Sequence, residues 1–400
     1  MARIIFFVID GFGDKPHKQT PLRLAFKPFL NSILNNIYLA QFLPLEKNYW
    51  PKLGNRSVTG LANLGILGYK LKPNLFKRGP FEAIGSDVLF KNGELALRVD
   101  FATVDENLKV IDRRAGRNFW KLKELTEEVN KKIKFEIPFS LYHTYGHRGV
   151  LIFRKKLSDQ ISDSDPYSIG KKVKKIKPLK KNKLSLKTAK IVWDFLIKVH
   201  QFLNTHPFNK LRIKKGVLPA NFLLTREAGS RLPKLKNFFK KTKIKNGLVI
   251  AENGALKGGC KLVGFKTLTL PETEKIEKRY QFYWQGILNN FKNFELIYVH
   301  LKEADEFSHD KKPNKKKEFF EFFDKWFKNL YLRLKKESPI FVLTGDHLTD
   351  SFTGKHLWGS LPLIIINHPQ LKNQPREISE LEAKKQELIK PKKLWRLLIG

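Results

Sequence analysis

Three apolar runs lie far apart in this chain, and each leads into aspartate or into aspartate with histidine. Few folds can use that arrangement. Ile4-Ile5-Phe6-Phe7-Val8-Ile9 ends in Asp10-Gly11-Phe12-Gly13. Leu296-Ile297-Tyr298-Val299-His300 precedes Asp305 and His309, and Ile340-Phe341-Val342-Leu343-Thr344 precedes Asp346-His347. Short continuous apolar runs of this kind read as strands. In an open α/β sheet, ligands collect at the carboxyl ends of the strands. Three such strands therefore point Asp10, Asp305, His309, Asp346 and His347 at one shared site, and His356, after Gly354-Lys355, can close it from a loop. Asp305 and His309 are four apart, so one helical turn sets both on the same face, ready to hold a metal ion. Asp346 and His347 can be aimed by a turn at a second ion, with Asp10 bridging from the first strand. Mixed carboxylate and imidazole donors suit Mn²⁺ or Zn²⁺ better than Mg²⁺ alone. Two ions about 4 Å apart clamp phosphoryl oxygens and lower the pKa of a coordinated hydroxyl.

The rest of the pattern agrees with such a sheet. Strand-like runs at 3–9, 247–251, 296–300, 339–344 and 362–367 alternate with helical stretches at 21–35, 59–67, 272–292 and 314–336. This alternation predicts an α/β fold, a mainly parallel sheet with helices on both faces. The middle of the chain differs: strand candidates at 95–104, 108–112, 140–145, 148–154 and near 220–225 crowd around one long helix at 185–204. That reads as an inserted α+β cap over 86–235, with 1–85 and 236–400 forming the metal-binding domain. The stretch 378–390 reads as helical and is expected to pack loosely or to wrap a neighbour.

Composition narrows the setting. Four hundred residues allow two or three domains at about 150 residues each. No apolar run reaches the roughly 20 residues that span a bilayer, and the first run ends in Asp10 without a cleavage signal. The single cysteine, Cys260, rules out an internal disulfide and fits a reducing cytoplasm; its simplest role is a small apolar residue. The balance of 77 Lys+Arg against 38 Asp+Glu gives a net charge of +39. Much of the excess sits in lysine runs, eight between Lys171 and Lys183 and five between Lys311 and Lys317, with more from Lys384 to Lys393. These runs lack aromatic residues for base stacking. They read as solvated faces, with nonspecific polyanion binding as a side effect. Oligomeric state leaves no mark in the sequence.

A family resemblance follows from a longer set of motifs. Val8-Ile9-Asp10-Gly11-Phe12-Gly13-Asp14, Ala62-Asn63-Leu64 with Leu67-Gly68-Tyr69, and Arg78-Gly79-Pro80-Phe81-Glu82-Ala83-Ile84-Gly85 come first. Asp100-Phe101-Ala102-Thr103-Val104-Asp105-Glu106-Asn107, Asp112-Arg113-Arg114-Ala115-Gly116-Arg117, Gly146-His147-Arg148, Ser162-Asp163-Ser164-Asp165-Pro166 and Thr344-Gly345-Asp346-His347 follow. In this order they resemble the archaeal-type 2,3-bisphosphoglycerate-independent phosphoglycerate mutases of the alkaline phosphatase superfamily, from Ile5 to about Asn367. The resemblance implies one metal on Asp305, His309 and His356. It implies a second on Asp10, Asp346, His347 and a nucleophilic hydroxyl. Family members use serine for that hydroxyl, and counting back from Tyr69 places Thr59 there. Here the match departs: the family has glycine before and aspartate after the nucleophile, whereas this chain has Val58 and Gly60. Ser57 is the rival nucleophile. The resemblance also implies substrate contacts from Asp112, Arg113, Arg114, Arg117, His147 and Arg148, and a charge-neutralising Lys257. The expected reaction interconverts 2- and 3-phosphoglycerate, small phosphorylated substrates, through a phosphoenzyme. Three rivals are a phosphatase or phosphodiesterase on the same site, a mutase of another phosphosugar, and an idle basic relative that binds nucleic acid.

Overall fold

The computed structural model describes every residue except 1, 51–57 and 274, so Ser57 lies outside the described residues. The chain divides into two compact units, 1–73 with 235–252 and 259–400, and 74–234 with 253–258.

The first unit is built on an eight-stranded sheet. Its strands run in the order Leu388–Ile389, Ile37–Phe42, Leu361–Ile366, Ile340–Thr344, Ile4–Ile9, Leu296–Leu301, Gly247–Ala251 and Lys266–Thr269. All run the same way except Leu361–Ile366, which is antiparallel to both neighbours. Ile4–Ile9 lies in the middle, parallel to Leu296–Leu301 on one side and Ile340–Thr344 on the other. All six of its side chains are buried, which is why it reads as an unbroken apolar run instead of alternating. Register sets Ile9 beside Leu301 and Val8 beside Thr344. The three carboxyl ends therefore finish at one level.

Helix Pro313–Leu334 covers one face of this sheet. Phe319, Phe320, Phe323, Phe327, Leu330 and Leu334 form its buried stripe, at the i, i+3, i+4 spacing of an amphipathic helix. Phe327 meets Phe7 edge-on at 6.0 Å and Phe341 at 5.1 Å between centroids. Elsewhere in the unit, Phe6 stacks on Tyr298 and on Trp395, at 5.3 and 5.6 Å.

Three sequence expectations need correction here. The stretch 21–35 is not one helix but Pro21–Leu24 and Pro28–Ser32 followed by a short 3₁₀ turn. Pro28 lacks an N–H and bars its predecessor from helical geometry, and Lys27 accordingly has ψ 62°. The stretch 378–390 holds only the short helix Glu380–Ala383, and Leu388–Ile389 joins the sheet edge beside Gln41–Phe42. Nor is that stretch loose, since Ile378, Ala383 and Ile389 are buried. Trp395 is buried, and its indole N–H donates to the Ile66 carbonyl at 2.6 Å. Strand Ile37–Phe42 and helix Leu122–Lys132 are further elements that the sequence pattern did not announce.

The second unit is a five-stranded antiparallel sheet. Strand Glu94–Val104 pairs with Arg148–Lys156 and Phe222–Gly229, and near its end with Val110–Asp112; Phe139–Tyr145 lies outside Arg148–Lys156. Helices Leu122–Lys132 and Lys183–Thr205 supply its main core, where Phe195 meets Phe135, Phe139 and Phe153. Helix Arg78–Gly85 also packs on this sheet. A side chain at Gly79 would collide with the Ala96 carbonyl. That packing moves the boundary expected near residue 86 back to Pro73 and Asn74. Residues 253–258 join the second unit as well. Gly85 abuts the Gly254 carbonyl, and Asn253 donates to the Thr144 carbonyl at 3.1 Å.

Candidate active site

The first unit gathers all six expected metal ligands at the carboxyl ends of its central strands, in two groups. Asp305, His309 and His356 form one; Asp10, Asp346 and His347 form the other, with the ligand atoms of each group within 4.8 Å of one another. Asp305 and His309 share helix Glu303–His309, as their spacing requires. His356 comes from the short hairpin strand Lys355–Leu357. Gly11 has φ +66°, and a Cβ there would meet Thr349 Oγ1 at 2.9 Å and Asp305 Cα at 3.0 Å. Glycine is thus demanded both by conformation and by the close approach of the two ligand segments.

Hydrogen-bond polarity shows that this donor set suits cations. His309 Nδ1 faces the Gly354 carbonyl at 2.8 Å. A carbonyl only accepts, so Nδ1 carries the proton and Nε2 offers a lone pair. That Nε2 lies 2.9 Å from His356 Nε2, and both are 3.3 Å from Asp305 carboxylate oxygens. In the other group His347 Nε2 lies 3.0 Å from Asp10 Oδ1 and 3.7 Å from Asp346 Oδ1. Asp10 Oδ1 is buried without a well-aimed hydrogen bond, as are His300 Nε2 and His356 Nδ1. Converging lone pairs and an under-bonded buried carboxylate are what a divalent ion would satisfy.

The electrostatics record the same crowding. Burial, together with the charges of Asp346 and Asp305, raises the Asp10 carboxyl to about 6. Burial opposes the positive charge of His347, but Asp346, Asp10 and Asp305 outweigh it and raise the imidazole to about 10. Burial likewise opposes ionisation of Asp305, yet hydrogen bonds from His309 and His356 hold its carboxyl well below the usual range.

Thr59 stands in the first turn of helix Val58–Ile66, and its Oγ1 is 3.4 Å from His347 Nε2. A helix N-terminus favours an incoming phosphate. Four residues on, Asn63 donates to the Thr59 carbonyl at 2.8 Å and to Asp346 Oδ2 at 3.2 Å, and accepts from the Tyr298 hydroxyl at 2.6 Å. Asn63, Tyr298, His300 and Thr349 surround the ligands and were not singled out from sequence. His300 Nε2 lies 3.7 Å from Asp10 and 3.8 Å from Asp346. The i, i+4 spacing from Thr59 was the available signal for Asn63. The signal for Thr349 was its position two residues after His347, where an extended segment returns to the same side.

The other expected residues lie in the second unit. Asp112 Oδ1 accepts the backbone N–H groups of Arg114 and Gly116, at 2.6 and 3.0 Å, and so shapes the loop that carries the arginines. Arg113 grips Asp165 with two bonds, 3.0 and 2.6 Å. Beside it, Arg98 and Arg226 both pair with buried Asp100, which lies 3.5 Å from His147. Burial, then Arg117, holds the Arg114 guanidinium below its ordinary value against the pull of Asp100, and Arg113 and Arg226 add to the effect. Burial also lowers His147, and although Asp100 pulls the other way, Arg148, Arg98 and Arg114 help keep its ring neutral. Lys257 is buried and donates to Asn253 at 2.8 Å and Asp87 at 3.1 Å. A cluster this rich in cations is suited to an anionic ligand.

The family model for 2,3-bisphosphoglycerate-independent phosphoglycerate mutase matches residues 51–209. The chain is 34% identical over 374 residues to 2,3-bisphosphoglycerate-independent phosphoglycerate mutase 1 of Methanocaldococcus jannaschii, covering 91% of this chain and 88% of that one. It is 32% identical over 394 residues to the mutase of Saccharolobus islandicus, covering 96% and 93%. Among solved structures, a cofactor-independent phosphoglycerate mutase from Thermoplasma acidophilum superposes with a TM-score of 0.59 at 25% identity, covering 100% of this chain and 99% of that one. The PH0037 protein from Pyrococcus horikoshii shares the fold, with a TM-score of 0.75 at 24% identity and coverage of 99% and 96%. Among the described residues no helix is long and apolar enough to cross a membrane.

Proposed function

The chain belongs to the family of 2,3-bisphosphoglycerate-independent phosphoglycerate mutases, and from that premise we propose that it interconverts 2- and 3-phosphoglycerate through a phosphoenzyme on Thr59. The observation that carries the assignment is the Thr59 hydroxyl, 3.4 Å from His347 Nε2, beside two groups of converging ligands. Asp305, His309 and His356 would hold one divalent ion; Asp10, Asp346 and His347, with Thr59, would hold the other. Ions held there would neutralise phosphoryl oxygens and make the Thr59 hydroxyl a better nucleophile at neutral pH. Mn²⁺ fits the mixed donors best, with Zn²⁺ or Mg²⁺ as alternatives.

Thr59 attacks phosphorus in line as the bond to the substrate oxygen breaks. The glycerate hydroxyl takes up a proton in balance with the one lost by Thr59. Phosphothreonine then returns its phosphoryl group to the other hydroxyl of the same glycerate, and water takes no part. Threonine in place of the family serine keeps the oxygen and adds only a rotamer restriction. Asp112, Arg113, Arg114, Arg117, His147 and Arg148 are proposed to bind the glycerate carboxylate and hydroxyls. The bidentate guanidinium fork suits that task. Lys257 is proposed to neutralise developing charge.

Phosphorus NMR of the purified protein with 3-phosphoglycerate and Mn²⁺ tests the reading. A 2-phosphoglycerate signal that grows without free phosphate is expected. Free phosphate alone would assign a phosphatase instead, and an unchanged spectrum would reject phosphoglycerate as substrate.

A further inference from the structure

Thr349 occupies a position that the ligand set alone does not explain. Its side-chain oxygen lies 2.7 Å from Asp305 Oδ1 and 3.1 Å from His347 Nδ1. Asp305 belongs to one ligand group and His347 to the other, so a single hydroxyl spans both.

The hydroxyl has one proton, and its direction is forced. An ionised carboxylate only accepts, so Thr349 donates to Asp305, and the threonine oxygen must then accept from His347. His347 therefore carries a proton on Nδ1 and turns Nε2 toward Asp10 and Thr59. Partners of this kind behind metal-ligating histidines fix ring tautomer and orientation.

Thr349 is itself held by its backbone. Its N–H donates to the Gly13 carbonyl at 3.0 Å. Its carbonyl accepts from Lys316 Nζ at 3.1 Å, and that ammonium is buried against Asp14 at 2.6 Å. Asp14 in turn accepts the Ser351 N–H at 2.6 Å. The strand around Thr349 is thus clamped from both sides, and the hydroxyl cannot drift from its two partners. Nothing else among the described hydrogen bonds links the two ligand groups through one side-chain atom.

We propose that Thr349 is a positioning residue that couples the two metal sites: its hydroxyl orients Asp305 for one ion and sets the His347 tautomer for the other. The inference rests on the dinuclear reading of the site. Removing the hydroxyl while keeping the side-chain shape disturbs both ligand groups at once.

The test is Mn²⁺ binding by isothermal titration calorimetry on metal-stripped wild type, Thr349→Val and Thr349→Ser, with the melting temperature of each metal-free protein as a control for folding. The valine variant should weaken both Mn²⁺ sites by about 10–100-fold with a metal-free melting point close to wild type. The serine variant should restore both affinities. Valine binding that equals wild type, or weakening confined to one site, would overturn the coupling. Wild-type protein that takes up no Mn²⁺ would overturn the dinuclear reading and this inference with it, which separates the two failures. Should the valine variant not fold, ¹H–¹⁵N spectra of the Zn²⁺-loaded wild type read the His347 tautomer directly. A proton on Nδ1 supports the inference, and a proton on Nε2 refutes it.

Discussion

Metal uptake at the Asp10 group should expel a proton, and the field around His347 sets how strongly pH governs it. In the metal-free protein three carboxylates raise this imidazole to about 10 despite its burial, whereas a metal ligand must be unprotonated at the coordinating nitrogen. The sign follows. A raised pKa means that the proton is held at every pH below about 10, so the proton competes with the ion and affinity rises with pH. Near pH 8 the gap is about two units, so displacing the proton costs roughly 3 kcal/mol, or on the order of 100-fold in apparent affinity. Across pH 7 to 8.5 the association constant for Mn²⁺ at this group should climb about tenfold per pH unit. Asp10 titrates at about 6, so below that pH a second proton must leave and the slope should steepen toward two. Calorimetric titration in two buffers of different ionisation enthalpy counts the protons released. An affinity that stays flat over this range, with no buffer-dependent heat, would show that His347 is neutral before the ion arrives. That result would refute the balance drawn here between burial and the three carboxylates.

Thr59→Ala should abolish phosphoenzyme formation and Thr59→Ser should retain it; label from ³²P-phosphoglycerate recovered on Ser57 would show that the nucleophile was misplaced. Asp346→Ala should lose one Mn²⁺ per chain and essentially all mutase activity, and full turnover in that variant would remove Asp346 from the site. Lys316→Met leaves Asp14 buried without its cation, a loss of about 3–5 kcal/mol; urea denaturation of the metal-free protein checks it, and an unchanged midpoint would mean that the pair adds nothing net to stability. Trp395→Ala should cost about 3–5 kcal/mol, because the ring packs on Phe6 and Phe238; a neutral result in the same assay would argue that the tail contributes no core.

Much of the candidate site was legible because its candidate ligands sit next to strongly patterned segments. Asp10, Asp346 and His347 each follow a strand buried along its whole length, and a buried parallel strand announces itself by continuous apolarity. Asp305 and His309 were legible through helical spacing. Sequence alone thus determined the α/β class and picked out the six candidate ligands that the fold gathers at the carboxyl ends of its central strands.

The tertiary structure decided what depends on partners distant in the chain. Asn63, His300, Tyr298 and Thr349 are ordinary residues of their own elements, and only the meeting of those elements turns them toward Asp10, Asp305, Asp346 and His347. The edge strand Leu388–Ile389 exists because Gln41 and Phe42 offer it a ladder; its local sequence resembles the helical stretch on either side. Helix Arg78–Gly85 belongs with the second unit because Gly79 fits against a strand backbone, which no local period records. Periodicity reports which face of an element is buried, whereas the partner that buries it is chosen by shape and hydrogen bonding across the whole fold.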